Sequence, residues 1–182
     1  TGSNAIDGMA RFITEFVKLP YLTKENPYFG RATCNFERIT GGREAAVIPE
    51  YCFACLDTRL IPESPPEDVL AQAYELIQRL EREEGIHIRE VDPPKEWRPR
   101  RGVAAAAIID VDEPIAQRAV NAVKYTTGTE AAISGLPGAT FAGVLIRRGI
   151  PSVLIGPGSI KQAHTEDEWV ELLGACLWDI LS

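Results

Sequence analysis

Between Asn4 and Val91 the apolar residues change period several times, and that order restricts the folds open to the chain. Ile6, Met9, Ala10, Ile13, Phe16 and Val17 recur at helical spacing. Ser3 or Asn4 caps the predicted helix, and Leu19-Pro20 ends it. Phe29 to Thr40 then alternates as a strand, Gly41-Gly42 supplies a turn, and Val47 to Leu60 reads as a second strand interrupted by Pro49. Together they predict an antiparallel hairpin. Ser64-Pro65-Pro66-Glu67 has the spacing of a capping box with Pro in the first turn. The helix it opens carries Val69, Leu70, Ala73, Leu76, Ile77 and Leu80 and stops at Gly85, and Ile86 to Val91 alternates as one more strand. Helix, strand, strand, helix, strand is a ferredoxin-like βαββαβ unit lacking its first strand. An open sheet edge invites pairing with another chain, and the natural polypeptide is expected to extend upstream of Thr1.

Asp92 to Gly102 is rich in Pro and Arg and has no periodicity, which marks a linker; its Trp97 reads as packing or interface area. Val103 to Ile109 follows as a strand or a packed extended segment. Asp112-Glu113-Pro114 opens a helix to about Tyr125, with its acidic residues at the positive end of the dipole. Gly135 to Gly138 reads as a loop, Thr140 to Arg148 as a short helix, and Ser152 to Ile155 as a buried strand. Thr165-Glu166-Asp167-Glu168 is a second capping box, ahead of an apolar helical face of Trp169, Leu172, Leu173, Cys176, Leu177 and Ile180. Helices alternating with short apolar strands indicate part of an α/β sandwich, itself short of strands.

A net charge of −7 and a short Arg98, Arg100, Arg101 group give no basic face for nucleic acid. Apolar runs stay below the ~18 to 20 residues that span a bilayer, and no signal peptide opens the chain, so the expected location is cytoplasmic with no membrane partner. Cys34, Cys52, Cys55 and Cys176 read as reduced core or half-buried thiols, because strand positions three apart, such as Cys52 and Cys55, face opposite sides. His87 lies among charged residues on an alternating strand and reads as exposed. His164 is different. It follows an apolar run and the loop Gly156-Pro157-Gly158-Ser159, where α/β folds place ligands. Imidazole suits a divalent metal, yet one His makes no metal site, and a capped loop His bonded to backbone is the alternative.

Four segments resemble the zinc metallohydrolase family of acetylornithine deacetylase, succinyl-diaminopimelate desuccinylase, aminoacylase and carboxypeptidase G. They are Asn4-Ala5-Ile6; Gly41-Gly42 with Val47-Ile48-Pro49-Glu50 and Leu56-Asp57-Thr58-Arg59; Gly149-Ile150-Pro151 with Gly156-Pro157-Gly158; and Ala163-His164-Thr165-Glu166-Asp167-Glu168. The resemblance implies an α/β protein. Residues 1–94 would be an incomplete ferredoxin-like lid and dimerisation domain, and residues 99–182 the C-terminal part of an incomplete catalytic α/β domain. It implies two Zn2+ per complete active site, with His164 as the one ligand present. The other ligands and the general-base Glu would come from a first half that this sequence does not contain, so no catalytic residue is assigned within the chain.

The resemblance further implies that Arg59 holds a substrate carboxylate, as a planar guanidinium can; an ordinary surface salt bridge with Asp57 or a neighbour is the alternative. Gly156, Gly158 and Ser159 would present backbone N–H groups to a carboxylate or oxyanion, with Thr140 a weaker candidate. The implied partners are a small N-acyl amino acid or peptide and a second copy bound through the lid. Two departures stand out: Ala45-Ala46 where many relatives have Asn before Val-Ile-Pro, and Phe141 where many have Asp. The expected activity is zinc-dependent amide hydrolysis by the complete protein, with this chain inactive alone. A non-catalytic dimerisation or binding module is the competing expectation.

Overall fold

The structure, a computed structural model, describes residues 4–91, 105–136, 138, 140–156, 159, 162 and 165–170. Helices and small antiparallel sheets make a mixed α/β chain. It divides into two compact units, Thr1–Ala106 with Gly135–Pro137, and Ala107–Ser134 with Gly138–Ser182.

In the first unit, helix α1 spans Ala5–Phe16, and the Asn4 side chain accepts from the amides of Ile6 and Asp7. Of the two candidate caps, Asn4 makes these bonds. A 3-10 turn at Pro20–Leu22 follows, where Pro halts the helix. Two short strands, β1 (Glu25–Asn26) and β2 (Gly30–Arg31), pair antiparallel around Asn26, whose Oδ1 accepts from the amides of Tyr28 and Phe29. Strands β3 (Thr33–Gly41) and β4 (Cys52–Arg59) form the predicted antiparallel hairpin, with an irregularity between Phe36 and Arg38. The connection is longer than a Gly-Gly turn. Gly41 still pairs with Cys52, and the chain reverses over residues 42–51. The second strand therefore starts at Cys52 rather than Val47.

Helix α2 spans Pro66–Glu84 and ends at Gly85, which takes the left-handed conformation at φ 66° and closes the last turn onto Glu81 and Leu80. Its start differs from the expected capping box. Ser64 is fully buried, and its hydroxyl donates to the Tyr21 carbonyl at 3.1 Å, so the cap position passes to Pro65 with no side-chain bond. Helices α1 and α2 cover one face of the hairpin. Phe16, Tyr21, Ala32, Ile61, Val69, Leu76 and Leu80 form the core, with Phe12, Phe36, Leu56, Ile86 and Ile88 packed against it. The rings of Phe12, Phe16, Tyr21 and Phe36 meet at 5.4 to 6.5 Å between centroids, mostly edge to face.

Residues 86–91 are not a strand. Ile86 and Ile88 are half-buried between exposed neighbours, so the alternation is real, but it records packing on the core and no ladder forms. The missing ladder leaves this sheet at two strands, β3 and β4, rather than the three expected for a ferredoxin-like unit lacking its first strand.

The second unit holds α3 (Pro114–Thr127) and α4 (Phe141–Ile146). Asp110 accepts from the Asp112 amide ahead of α3, and Gly128 ends that helix at φ 70°. Residues 151–156 are neither paired nor buried as the strand expectation required, with Leu154 57% exposed. Their apolar side chains suit a sheet interior, but no ladder partner stands beside them among the described residues. Thr165 likewise opens no helix over 165–170; its hydroxyl donates to the Gln162 carbonyl at 2.7 Å. The linker 92–102 and the apolar helical face from Leu172 to Ile180 lie outside the described residues.

Candidate substrate-binding residues

Tyr21 is the residue from which the first unit's site is built. It is completely buried, its amide donates to Gln72 Oε1 at 3.0 Å, and its carbonyl receives Ser64. Its hydroxyl lies 3.2 Å from Thr58 Oγ1, and Thr58 in turn donates to the Thr33 carbonyl at 2.8 Å. Because the Thr58 proton is committed to Thr33, Tyr21 is the donor in that pair. Burial pushes the Tyr21 hydroxyl up to about 12. The arrangement pins Thr58 toward the core. Its neighbours Asp57 and Arg59 therefore project from the other face of β4.

On that face Asp57 Oδ2 accepts from Arg59 Nε at 2.8 Å. The surface salt bridge left open by the sequence is present. It engages Nε, and the two terminal guanidinium nitrogens have no protein partner among the described residues. Asp57 thus orients the planar group while its outer edge stays available to an anion.

The hairpin connection, at the other end of β4, is braced. The Ala5 amide donates to the Pro49 carbonyl at 3.0 Å, and Gly42 to the Tyr51 carbonyl at 3.4 Å. Ala46 sits at φ 62°, among the described residues the one non-glycine in the left-handed region. That is the position where the Ala45-Ala46 departure falls.

Of the other candidates, Thr140 occupies the residue before α4 at φ −135°, and its side chain makes no capping bond. Gly156 and Ser159 are exposed, and the Ser159 carbonyl accepts from the Gln162 amide at 2.9 Å. Gly158 and His164 lie outside the described residues. Arg59 belongs to the first unit, and Thr140, Gly156 and Ser159 to the second. Phe141 is 88% exposed.

His87 is exposed, as expected, and its Nδ1 is 2.8 Å from Glu81 Oε1. Cys34, Cys52 and Cys55 are free thiols, and burial pushes the first two up, away from thiolate chemistry. No group of three His, Cys, Asp or Glu side chains among the described residues is placed to hold a metal. The described residues therefore form no metal centre by themselves. No described helix is long and apolar enough to cross a membrane. Sequence reasoning missed the buried knot of Tyr21, Ser64, Gln72 and Thr58, whose members lie far apart in the chain and share no motif.

Residues 1–85 match the family described as the peptidase dimerisation domain. The chain is 29% identical over 191 residues to an N-formyl-4-amino-5-aminomethyl-2-methylpyrimidine deformylase of Halalkalibacterium halodurans, covering 94% of this chain and 42% of the relative. It is 31% identical over 178 residues to an acetylornithine deacetylase of Myxococcus xanthus, covering 93% of this chain and 43% of the relative. A Yersinia pestis acetylornithine deacetylase is 28% identical over 180 residues, at 94% and 42% coverage. The chain therefore spans about two fifths of the length of the curated relatives it matches. These relatives are amide-bond hydrolases by name, and the similarity runs through both units of the chain. The chain is thus related to the metallohydrolases that include acetylornithine deacetylase, and its residues 1–85 match their peptidase dimerisation domain.

Proposed function

We propose that these residues are the C-terminal part of a zinc-dependent amidohydrolase that removes an acyl group from a small amine or amino acid. The single observation that supports it most is similarity over 93 to 94% of the chain to deacetylases and deformylases. Residues 1–94 act as the lid and dimerisation domain, ferredoxin-like in the complete protein, and residues 99–182 as the end of the catalytic domain. Zn2+, when bound, polarises the scissile carbonyl and acidifies the attacking water. His164 supplies one ligand, and the remaining ligands and the general base come from outside these residues. The isolated chain is inactive.

Arg59 binds the substrate carboxylate through its outer nitrogens while Asp57 holds Nε. Gly156, Gly158 and Ser159 offer backbone N–H groups to a carboxylate or to the developing oxyanion. Thr140 is a weaker candidate for substrate contact, and Phe141, standing where an acidic residue is common, makes its surroundings more apolar. The substrate is an N-acyl amino acid or small peptide, the working assembly is a homodimer through the lid, and the site of action is the cytoplasm.

Hydrolysis of N-acetylornithine and of N-formyl amines by the complete protein tests this reading. Arg59→Ala is expected to raise KM for a carboxylate-bearing substrate about ten- to a hundredfold, with zinc content unchanged. An unaltered KM would remove Arg59 from the site. The match to a dimerisation domain also favours a second reading, a non-catalytic dimerisation module. A complete protein that dimerises but neither binds zinc nor cleaves any acyl amine would establish it.

A further inference from the structure

We propose that Asn35 is a specificity-determining residue, whose carboxamide donates to the same substrate carboxylate that Arg59 holds. This rests on the role proposed above for Arg59 and extends it across the hairpin. The pairing register places Thr33 opposite Arg59, Cys34 opposite Thr58 and Asn35 opposite Asp57. Residues directly opposite each other in an antiparallel pair share a face of the sheet. Cys34, Phe36 and Leu56 pack against the core, and Thr58 meets the buried Tyr21 hydroxyl. Thr33, Asn35, Asp57 and Arg59 therefore stand together on the outward face.

Within that group the Arg59 guanidinium is drawn toward Asn35. Its Nε donates to Asp57 Oδ2 at 2.8 Å, so the group leans back along β4 over position 57. Asn35 lies across from that position, and directly opposed side chains have Cβ atoms about 4.5–5.5 Å apart. Without the Asp57 bond, Arg59 would be only a diagonal neighbour of Asn35, at about 7–8 Å. The register is fixed from the core side, where the Thr58 hydroxyl donates to the Thr33 carbonyl at 2.8 Å.

Asn35 is exposed, and its side chain has no hydrogen-bond partner among the described residues. Asn is also a poor strand former, and here it sits inside the nine-residue strand β3 with no internal bond to offset that. Charge explains what it adds. Asp57 offsets much of the Arg59 charge, so a carboxylate at the outer guanidinium edge gains less than it would from an unpaired arginine. A carboxylate can accept more bonds than the two outer nitrogens donate, and the Asn35 amide supplies a further donor from the opposite strand. Two strands then grip one anion. A primary amide in its place offers a single uncharged carbonyl oxygen and is held less well.

The test is the binding of Nα-methanesulfonylornithine and of its carboxamide to the complete protein, measured by calorimetry. The sulfonamide resists hydrolysis, so affinity is read without turnover. The wild-type protein should prefer the acid. Arg59→Ala and Asn35→Ala should each weaken the acid about tenfold or more, with much smaller changes for the amide. Asn35→Asp keeps the size but sets a negative charge against the ligand, and should weaken the acid more than Asn35→Ala does. Acid affinity that falls in Arg59→Ala but holds in Asn35→Ala would overturn this proposal and leave Arg59 in the site. No acid preference in the wild-type protein, or its survival in Arg59→Ala, would overturn the role of Arg59 and this proposal with it. An Asn35→Ala variant that loses the acid and the amide equally would show a structural role alone, and would likewise overturn the proposal.

Discussion

Two residues carry consequences out of proportion to their size. Tyr21 joins the turn after α1, the start of α2 and the end of β4 through its amide, carbonyl and hydroxyl. Tyr21→Phe removes the bond to Thr58 and is expected to lower stability by about 0.5–1.5 kcal/mol in chemical denaturation. The same hydroxyl makes a pH prediction. Its folded value, about 12, lies above the ordinary 10.0, so its contribution is complete below pH 10 and is lost as pH rises toward 12. Tyr21→Phe should flatten the alkaline loss of stability in that window. Ala46 is the other residue. At φ 62° its Cβ crowds the following carbonyl, and Ala46→Gly is expected to stabilise by about 0.5–1 kcal/mol. A lower unfolding midpoint in that variant would mean the left-handed conformation is not the one the loop holds in solution.

Elements were legible where their signals are local. The 3.6-residue period, the Asn4 cap and the Gly85 stop lie within a few residues of what they control, and α1 and α2 fall where these signals put them. Ladder pairing is not local. Residues 86–91 and 152–155 have strand-like composition, but a strand exists only with a neighbour, which no pattern within the segment supplies. The two capping boxes failed for another reason. Ser64 and Thr165 each have the right spacing, and each spends its hydroxyl on a carbonyl instead, Tyr21 and Gln162. Between the helices, Glu15 accepts from Lys18 at 2.7 Å and from Arg79 of α2 at 2.8 Å. Those two bonds, Lys18 first, hold its carboxyl at about 2 instead of 4.5. The depressed value contributes stability above pH 4.5 that is lost as pH falls toward 2. In Glu15→Gln the acid side of the stability curve should be flatter over that range, with the midpoint near neutrality lowered. An unchanged acid limb would assign acid unfolding to other carboxylates.

At the scale of the molecule, the family resemblance was readable because its motifs, Asn4-Ala5-Ile6, Gly41-Gly42, Leu56-Asp57-Thr58-Arg59 and Gly156-Pro157-Gly158, are spread along the chain, and the relatives at 28 to 31% identity match 93 to 94% of it. The site was less so. The sequence left Arg59 between a ligand and a salt bridge, and the observed Nε bond to Asp57 is compatible with both, because it leaves the outer nitrogens for an anion. His164, the proposed zinc ligand, lies outside the described residues, so its role rests on its motif alone. Substituting it is therefore the most direct test of the central claim. Zinc content and acyl-amine hydrolysis should be measured side by side on the complete protein and its His164→Ala variant. The account predicts that both fall together in the variant. Zinc content and activity unchanged by the substitution would contradict it.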